Sequence, residues 1–232
     1  MGEYKQPPVD TSIKLGSFAF FLSIPLTFAL GFSFSETTYQ VISQIGFEPQ
    51  TLTLVLYAFV TSAVIFSLRW LQALRTLIHE LKHAILVLVS GNKLTDIKVR
   101  ARKGHVSYMM YADKTRFAPF ILLAPYFFPM FSLPTFIAAL FIGGIYPLPL
   151  SIALGLTVGI DLTCNYKEYH PQQSDLQRIA GGRIGVLLFI LGTNFCWAAA
   201  STLWIVAGNA GFILTSQQIL NFTTNLVSSW IS

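Results

Sequence analysis

Six apolar runs, each close to the length a helix needs to cross a bilayer, take up most of this 232-residue chain. Bounded by glycine, proline and charged residues, they extend from about Leu15 to Phe34, Thr51 to Leu68, Leu71 to Val89, Phe117 to Gly144, Leu148 to Leu162 and Arg183 to Val206. A helix needs about 20 apolar residues to span a hydrocarbon core about 30 Å thick, and inside lipid its backbone polar groups must pair within the segment. Charged residues make up only 11% of the chain, against roughly a quarter in soluble domains, too few to cover a water-facing surface. The expected fold class is an all-α polytopic membrane protein with about six transmembrane helices. With short connections between spans, residues 1–232 are expected to form a single membrane-embedded domain.

Two departures from plain helix stand out. The fourth run is interrupted by Pro119, Pro125, Pro129 and Pro134, which predicts a bent or broken helix lining something. Residues 93–116 form the one extended polar stretch: Thr95 to Arg100 alternates apolar and polar, a glycine turn is expected between Arg102 and His105, and Val106 to Tyr111 is rich in strand formers. This predicts a small β-hairpin at the membrane surface, over residues 95–111. The helix before it, residues 71–90, should stop at Ser90-Gly91-Asn92. Residues 211–232 carry no charged side chain and are expected to form a further surface helix or a seventh, partial span.

The net charge of +5 reads as orientation. With the third span entering the cytoplasm, Lys93, Lys98, Arg100, Arg102, Lys103, Lys114, Arg116, Lys167, Arg178 and Arg183 lie inside, against Lys5, Lys14, Arg69 and Arg75 outside, as the positive-inside rule prefers. The hairpin then lies at the cytoplasmic surface, and the expected location is a prokaryotic cytoplasmic (inner) membrane. The basic residues lack the aromatic interleaving of a single-strand binder, so no nucleic-acid partner is expected. Cys164 and Cys196 form neither a disulfide framework nor a Cys-x-x-Cys pair.

The third span carries His79-Glu80-Leu81-Lys82-His83 inside an apolar run. One ionisable residue at the centre of a membrane helix costs about 2.5–3.5 kcal/mol on insertion scales, so four in five positions need a reason. Residues i and i+4 share a helix face, which lets His79 and His83 aim two imidazoles at one metal ion. Glu80, about 100° around the helix, reaches a water there without being a ligand. Neutral imidazoles suit Zn2+, whose catalytic sites combine three protein ligands with an open position. Lys82 faces away from that side and is expected to snorkel toward the cytoplasmic boundary.

A third ligand must come from elsewhere, and the region 161–178 supplies most of the choices. Asp175, beside Ser174 at a helix start where it could equally act as a cap, ranks first. Asp161, inside the fifth span, where an unpaired carboxylate is costly, ranks second. His170, in a turn before Pro171, ranks third. Glu168 is a further choice, and His105 reads as an exposed turn residue.

Taken together, the run His79 to Ala84 in a span, Gly91-Asn92-Lys93 after it, a short β element with Gly104-His105-Val106 and a later acidic residue at a membrane boundary resembles the site-2 protease family of intramembrane zinc metalloproteases. The pattern covers about Thr76 to Leu176. Lys82 stands where that family commonly has glycine, and the usual Asn-x-x-Pro…Leu-Asp-Gly element is replaced by Asp161-Leu162 with Gln173-Ser174-Asp175, closer to the small bacterial branch. The resemblance implies His79 and His83 as zinc ligands with a distant aspartate, Glu80 as general base, and membrane-spanning protein segments as substrates. The hairpin would offer main-chain hydrogen bonds to an unwound substrate strand. The competing expectation is a non-catalytic membrane protein that has a structural or regulatory metal site and binds membrane-spanning partners without cutting them; a fourth protein ligand closing the site would mark it.

Overall fold

The computed structural model describes residues 18–46, 48–100, 103–169, 174–179 and 181–231. In chain order the elements are α1 (Phe18–Ile45), α2 (Pro49–Ser67), a 3₁₀ turn at Arg69–Leu71, α3 (Gln72–Val89), β1 (Lys93–Arg100), β2 (Lys103–Met109), α4 (Ala118–Phe127), α5 (Ser132–Ile142), α6 (Pro147–Glu168), the one-turn α7 (Ser174–Gln177) and α8 (Gly182–Ile231). Among the described residues, α1, α2, α6 and α8 are each long and apolar enough to cross a membrane. They turn large apolar side chains outward, including Phe18, Phe32, Tyr57, Val64, Ile184 and Leu191. Such exposure suits lipid and not water.

The proline-rich fourth run is broken as expected. The arm Ala112–Phe127, a 3₁₀ turn running into α4, meets α5 at 86°, and at 10 and 11 residues the α-helices of the two arms are each about 15 Å long, half of a crossing. Together they make a fifth candidate span, so the described residues hold four or five candidate spans where about six are expected; the third apolar run, α3, is not among them. α3 carries Arg75, Glu80 and Lys82, all buried; it is shielded by its neighbours and does not face lipid with those groups.

Helix α1 packs along α8 and α2 along α6, while α6 also touches α8 and so joins the two pairs. The α2–α6 approach depends on small residues: a Cβ on Gly155 would lie 2.8 Å from the Val55 carbonyl oxygen, and one on Gly159 would lie 2.6 Å from that of Phe59. This spacing of two glycines four apart lets backbones meet where hydrophobic burial gives no drive between helices. α3 sits against α4 and the hairpin. One apolar cluster, with Phe20, Tyr126, Ile179 and Phe189, locks α1, α4 and α8 together, and a second, with Phe136, Leu154, Val158 and Trp204, joins α5, α6 and α8.

The surface helix expected over residues 211–232 continues α8 past a kink at Gly208, whose φ of 56° and ψ of −150° favour glycine. Trp204 Nε1 donates to Asn209 Oδ1 across the break, and Asn209 Nδ2 donates to the Leu140 carbonyl at the end of α5. α3 stops where predicted. Gly91 takes a φ of 74°, its N–H bonds the Leu88 carbonyl and that of Asn92 bonds Val87, a Schellman ending that satisfies two orphan carbonyls. Asn92 Oδ1 then accepts from the Tyr111 N–H, drawing the far end of the hairpin back to its start.

β1 and β2 pair antiparallel from Lys93↔Met109 to Arg100↔Lys103, with an irregularity between Leu94 and Asp96. The reversal falls between Arg100 and Lys103, so Gly104 is a strand residue facing Val99 and not the turn glycine expected from the sequence. Arg102 lies outside the described residues, as do the first residues of the expected first span and His170.

Candidate functional site

His79, Glu80, Lys82 and His83 are all buried. The His79 and His83 rings lie one turn apart on α3, their centroids 5.1 Å from each other and their planes at 73°, so the predicted sharing of one helix face holds. His79 also meets Tyr126 of α4 edge to face at 5.7 Å.

The ring of His83 is held by a backbone carbonyl, and the reason can be read in α4. Its Nδ1 lies 2.7 Å from the Ile121 carbonyl oxygen. In a continuous helix that oxygen would accept from the N–H four residues on, but residue 125 is proline and has none. The carbonyl so released can accept only an N–H from the His83 Nδ1, which in the neutral ring leaves the lone pair on Nε2. Metal-bound histidines are commonly oriented by this kind of outer hydrogen bond.

Glu80 sits against the hairpin. A Cβ on Gly104 would overlap its Cγ, Cδ and Oε1, so the Glu80 side chain can lie where it does because residue 104 has no side chain. The hairpin meets the motif helix at the Glu80 carboxyl. His105, next along β2, is exposed and pairs across the sheet with Lys98; it takes no part in the motif.

Lys82 does not snorkel. It is fully buried, with Nζ donating to Asn165 Oδ1 at 2.6 Å and lying 3.6 Å from Asp161 Oδ1. A partner inside the protein removes any need to reach the boundary, and a buried ammonium requires one. Asp161 is engaged on its other oxygen too: Oδ2 accepts from the Phe131 N–H at 3.0 Å, the Ser132 N–H at 2.7 Å and the Ser132 hydroxyl at 2.7 Å. It therefore caps the start of α5 just past the bend, where a helix N-terminus favours an anion. Trp197 Nε1 of α8 donates to the same hydroxyl. From Asn165 the network runs to Asn194 of α8 and on to the Tyr126 carbonyl of α4. Asp161, expected to face the site or a partner, faces this one.

Two neighbours of His79, the buried Arg75 and the half-buried Glu168, escape sequence reasoning in that role. Arg75, one turn earlier on α3, donates from Nη1 to the Phe66 and Leu68 carbonyls at 2.7 and 2.8 Å, closing the C-terminal end of α2. Its Nε lies 3.7 Å from Glu168 Oε1, and Glu168 Oε2 lies 3.8 Å from His79 Nδ1. The signals that could find them are the i, i+4 spacing of Arg75 and His79 and an acidic residue ending α6, at the helix end where the dipole disfavours it.

Among the described residues, no three histidine, cysteine or acidic side chains gather at metal-binding spacing. Asp175 belongs to α7, but its side chain, like the whole of His170, is outside the described residues. A model of the Peptidase M50B-like family matches residues 51–167, from α2 to the last turn of α6. No curated protein and no solved structure matches the chain.

Proposed function

The chain belongs to the Peptidase M50B-like family, and from that premise we propose that it is a zinc-dependent intramembrane endopeptidase that hydrolyses peptide bonds of membrane-spanning proteins. Its proposed location is the cytoplasmic membrane of a prokaryotic cell. The observation that carries the reading is the pairing of His79 and His83 on one face of a buried helix, with the carboxyl of the buried Glu80 against the hairpin at Gly104.

The donor set suits Zn2+. Two imidazoles share a face, and the His83 ring is held through Nδ1 so that Nε2 carries the lone pair. We assign His79 and His83 as two ligands and Asp175 as the third. Zinc, when bound, supplies Lewis acidity that eases loss of a proton from water and polarises the scissile carbonyl. Glu80 accepts the proton of the attacking water and delivers it to the departing amine nitrogen, as a general base and then a general acid. The unpaired edge of the hairpin offers N–H and C=O groups to an extended substrate. The surrounding helices keep bulk water from the carboxylate.

The test is Glu80→Gln in the purified full-length protein, assayed for zinc content and for cleavage of membrane-spanning peptides. Zinc should remain, and cleavage should fall by about 10²–10⁴, the usual contribution of general acid–base catalysis. An unchanged cleavage rate would refute the role of Glu80. Zinc bound by a wild-type protein that cuts none of the peptides would instead favour a non-catalytic metal site.

A further inference from the structure

The ion pair between Arg75 and Glu168 has no part in the hydrolysis outlined above, yet it ends on a motif histidine. Arg75 is fixed from one side by the Phe66 and Leu68 carbonyls, so its guanidinium cannot swing away. Its Nε holds Glu168 at 3.7 Å. Glu168 is the last residue of α6, where a carboxylate opposes the helix dipole and needs a cation to offset it. The other carboxylate oxygen is 3.8 Å from His79 Nδ1, about 1 Å beyond a hydrogen bond. His83 already has an acceptor on its Nδ1, the Ile121 carbonyl. Both motif rings therefore have an oxygen beside Nδ1, one supplied by backbone and one by a carboxylate.

We propose that Glu168, anchored by Arg75, is a positioning residue for His79: it takes the Nδ1–H and thereby turns Nε2 toward the metal. This rests on the zinc reading above. The arrangement matches the carboxylate–histidine pairs that set ring orientation in metal sites, whose loss typically costs about 10–100-fold in metal affinity or activity. Arg75 in turn ties the geometry to the α2–α3 corner, so the first ligand is braced by α2 and α6 and the second by α4.

The experiment measures zinc affinity by chelator competition on the intact purified protein, wild type against Glu168→Ala and Glu168→Gln. Cobalt-substituted spectra are recorded on each. Glu168→Ala should bind zinc about 10–100-fold more weakly at unchanged stoichiometry, with a cobalt spectrum of the same coordination number. The isosteric Glu168→Gln, which keeps an acceptor oxygen without the charge, should fall between. Equal affinity in all three proteins would overturn the positioning role while leaving the zinc reading intact. Loss of stoichiometric binding with a changed cobalt coordination, as for removal of a ligand, would also overturn it. A wild-type protein that binds no zinc would overturn the zinc reading and this inference with it.

Discussion

Replacing Lys82 with methionine removes the cation beside Asp161 while keeping a side chain of similar length and an apolar stem. Asp161 keeps three donors on Oδ2, but Oδ1 loses a charge 3.6 Å away. At that separation, and with an effective dielectric constant of about 20, the attraction is about 5 kcal/mol. Breaking a buried pair from one side usually costs about 3–5 kcal/mol. The three surviving hydrogen bonds favour the lower end, so we expect Lys82→Met to lose about 3 kcal/mol. Asp161→Asn should lose a similar amount, since it strands an ammonium whose remaining acceptor is Asn165 Oδ1. The double variant holds no charge at either position and should recover much of the loss, with a coupling energy of about 2–3 kcal/mol. The assay is SDS-driven unfolding of the four proteins in mild detergent, followed by far-UV circular dichroism and tryptophan fluorescence, with Trp197 reporting on Ser132 through its hydrogen bond. Losses that simply add, within about 0.5 kcal/mol, would mean that the two residues do not interact and that the network joining α3, α5 and α6 is wrong.

Other outcomes follow from the same contacts. Gly104→Ala introduces a Cβ where the Glu80 carboxyl sits; it should cost about 1–3 kcal/mol by overpacking and slow cleavage while leaving zinc content unchanged, and a variant cutting at the wild-type rate would contradict the seating of Glu80. Asp175→Asn should lower zinc occupancy, whereas Asp161→Asn should reduce stability and leave occupancy alone; metal analysis of the two purified variants separates them. If neither lowers occupancy, the third position passes to His170.

The parts of this fold that follow from the solvent are legible in the amino-acid order. Lipid imposes length and polarity on each span, so apolar runs mark α1, α2, α6 and α8, and Gly91 announces the end of α3. The prolines of the fourth span foretell its break but not its angle, because Asp161 caps α5 from a helix that comes later in the chain. Partnerships between distant positions are the main loss. Lys82 reads as a snorkelling residue because its acceptor Asn165 is 83 residues away and nothing local advertises it. Gly104 reads as a turn glycine because turns are the commonest local reason for glycine; its actual reason, the Glu80 carboxyl, is tertiary. Placing His79 and His83 on one face needs only helical geometry, whereas the oxygens near the two Nδ1 atoms depend on how α4 and α6 dock. Pro125 is visible as a breaker; its release of the Ile121 carbonyl toward His83 emerges only when α3 and α4 lie side by side.

The buried charge of Lys82 also bears on how the protein is made. On synthesis α3 emerges with Arg75, Glu80 and Lys82 in 18 residues, each charged group costing about 2.5–3.5 kcal/mol at the centre of a bilayer. The carboxylates that answer the two cations, Asp161 and Glu168, belong to α6 and leave the ribosome only after the hairpin, α4 and α5 have been made. Until then α3 has no settled place in lipid. The carboxylates that pair with its buried cations are then still absent from the chain. A nascent chain stopped short of α6 therefore carries the buried cations of α3 without either carboxylate that answers them.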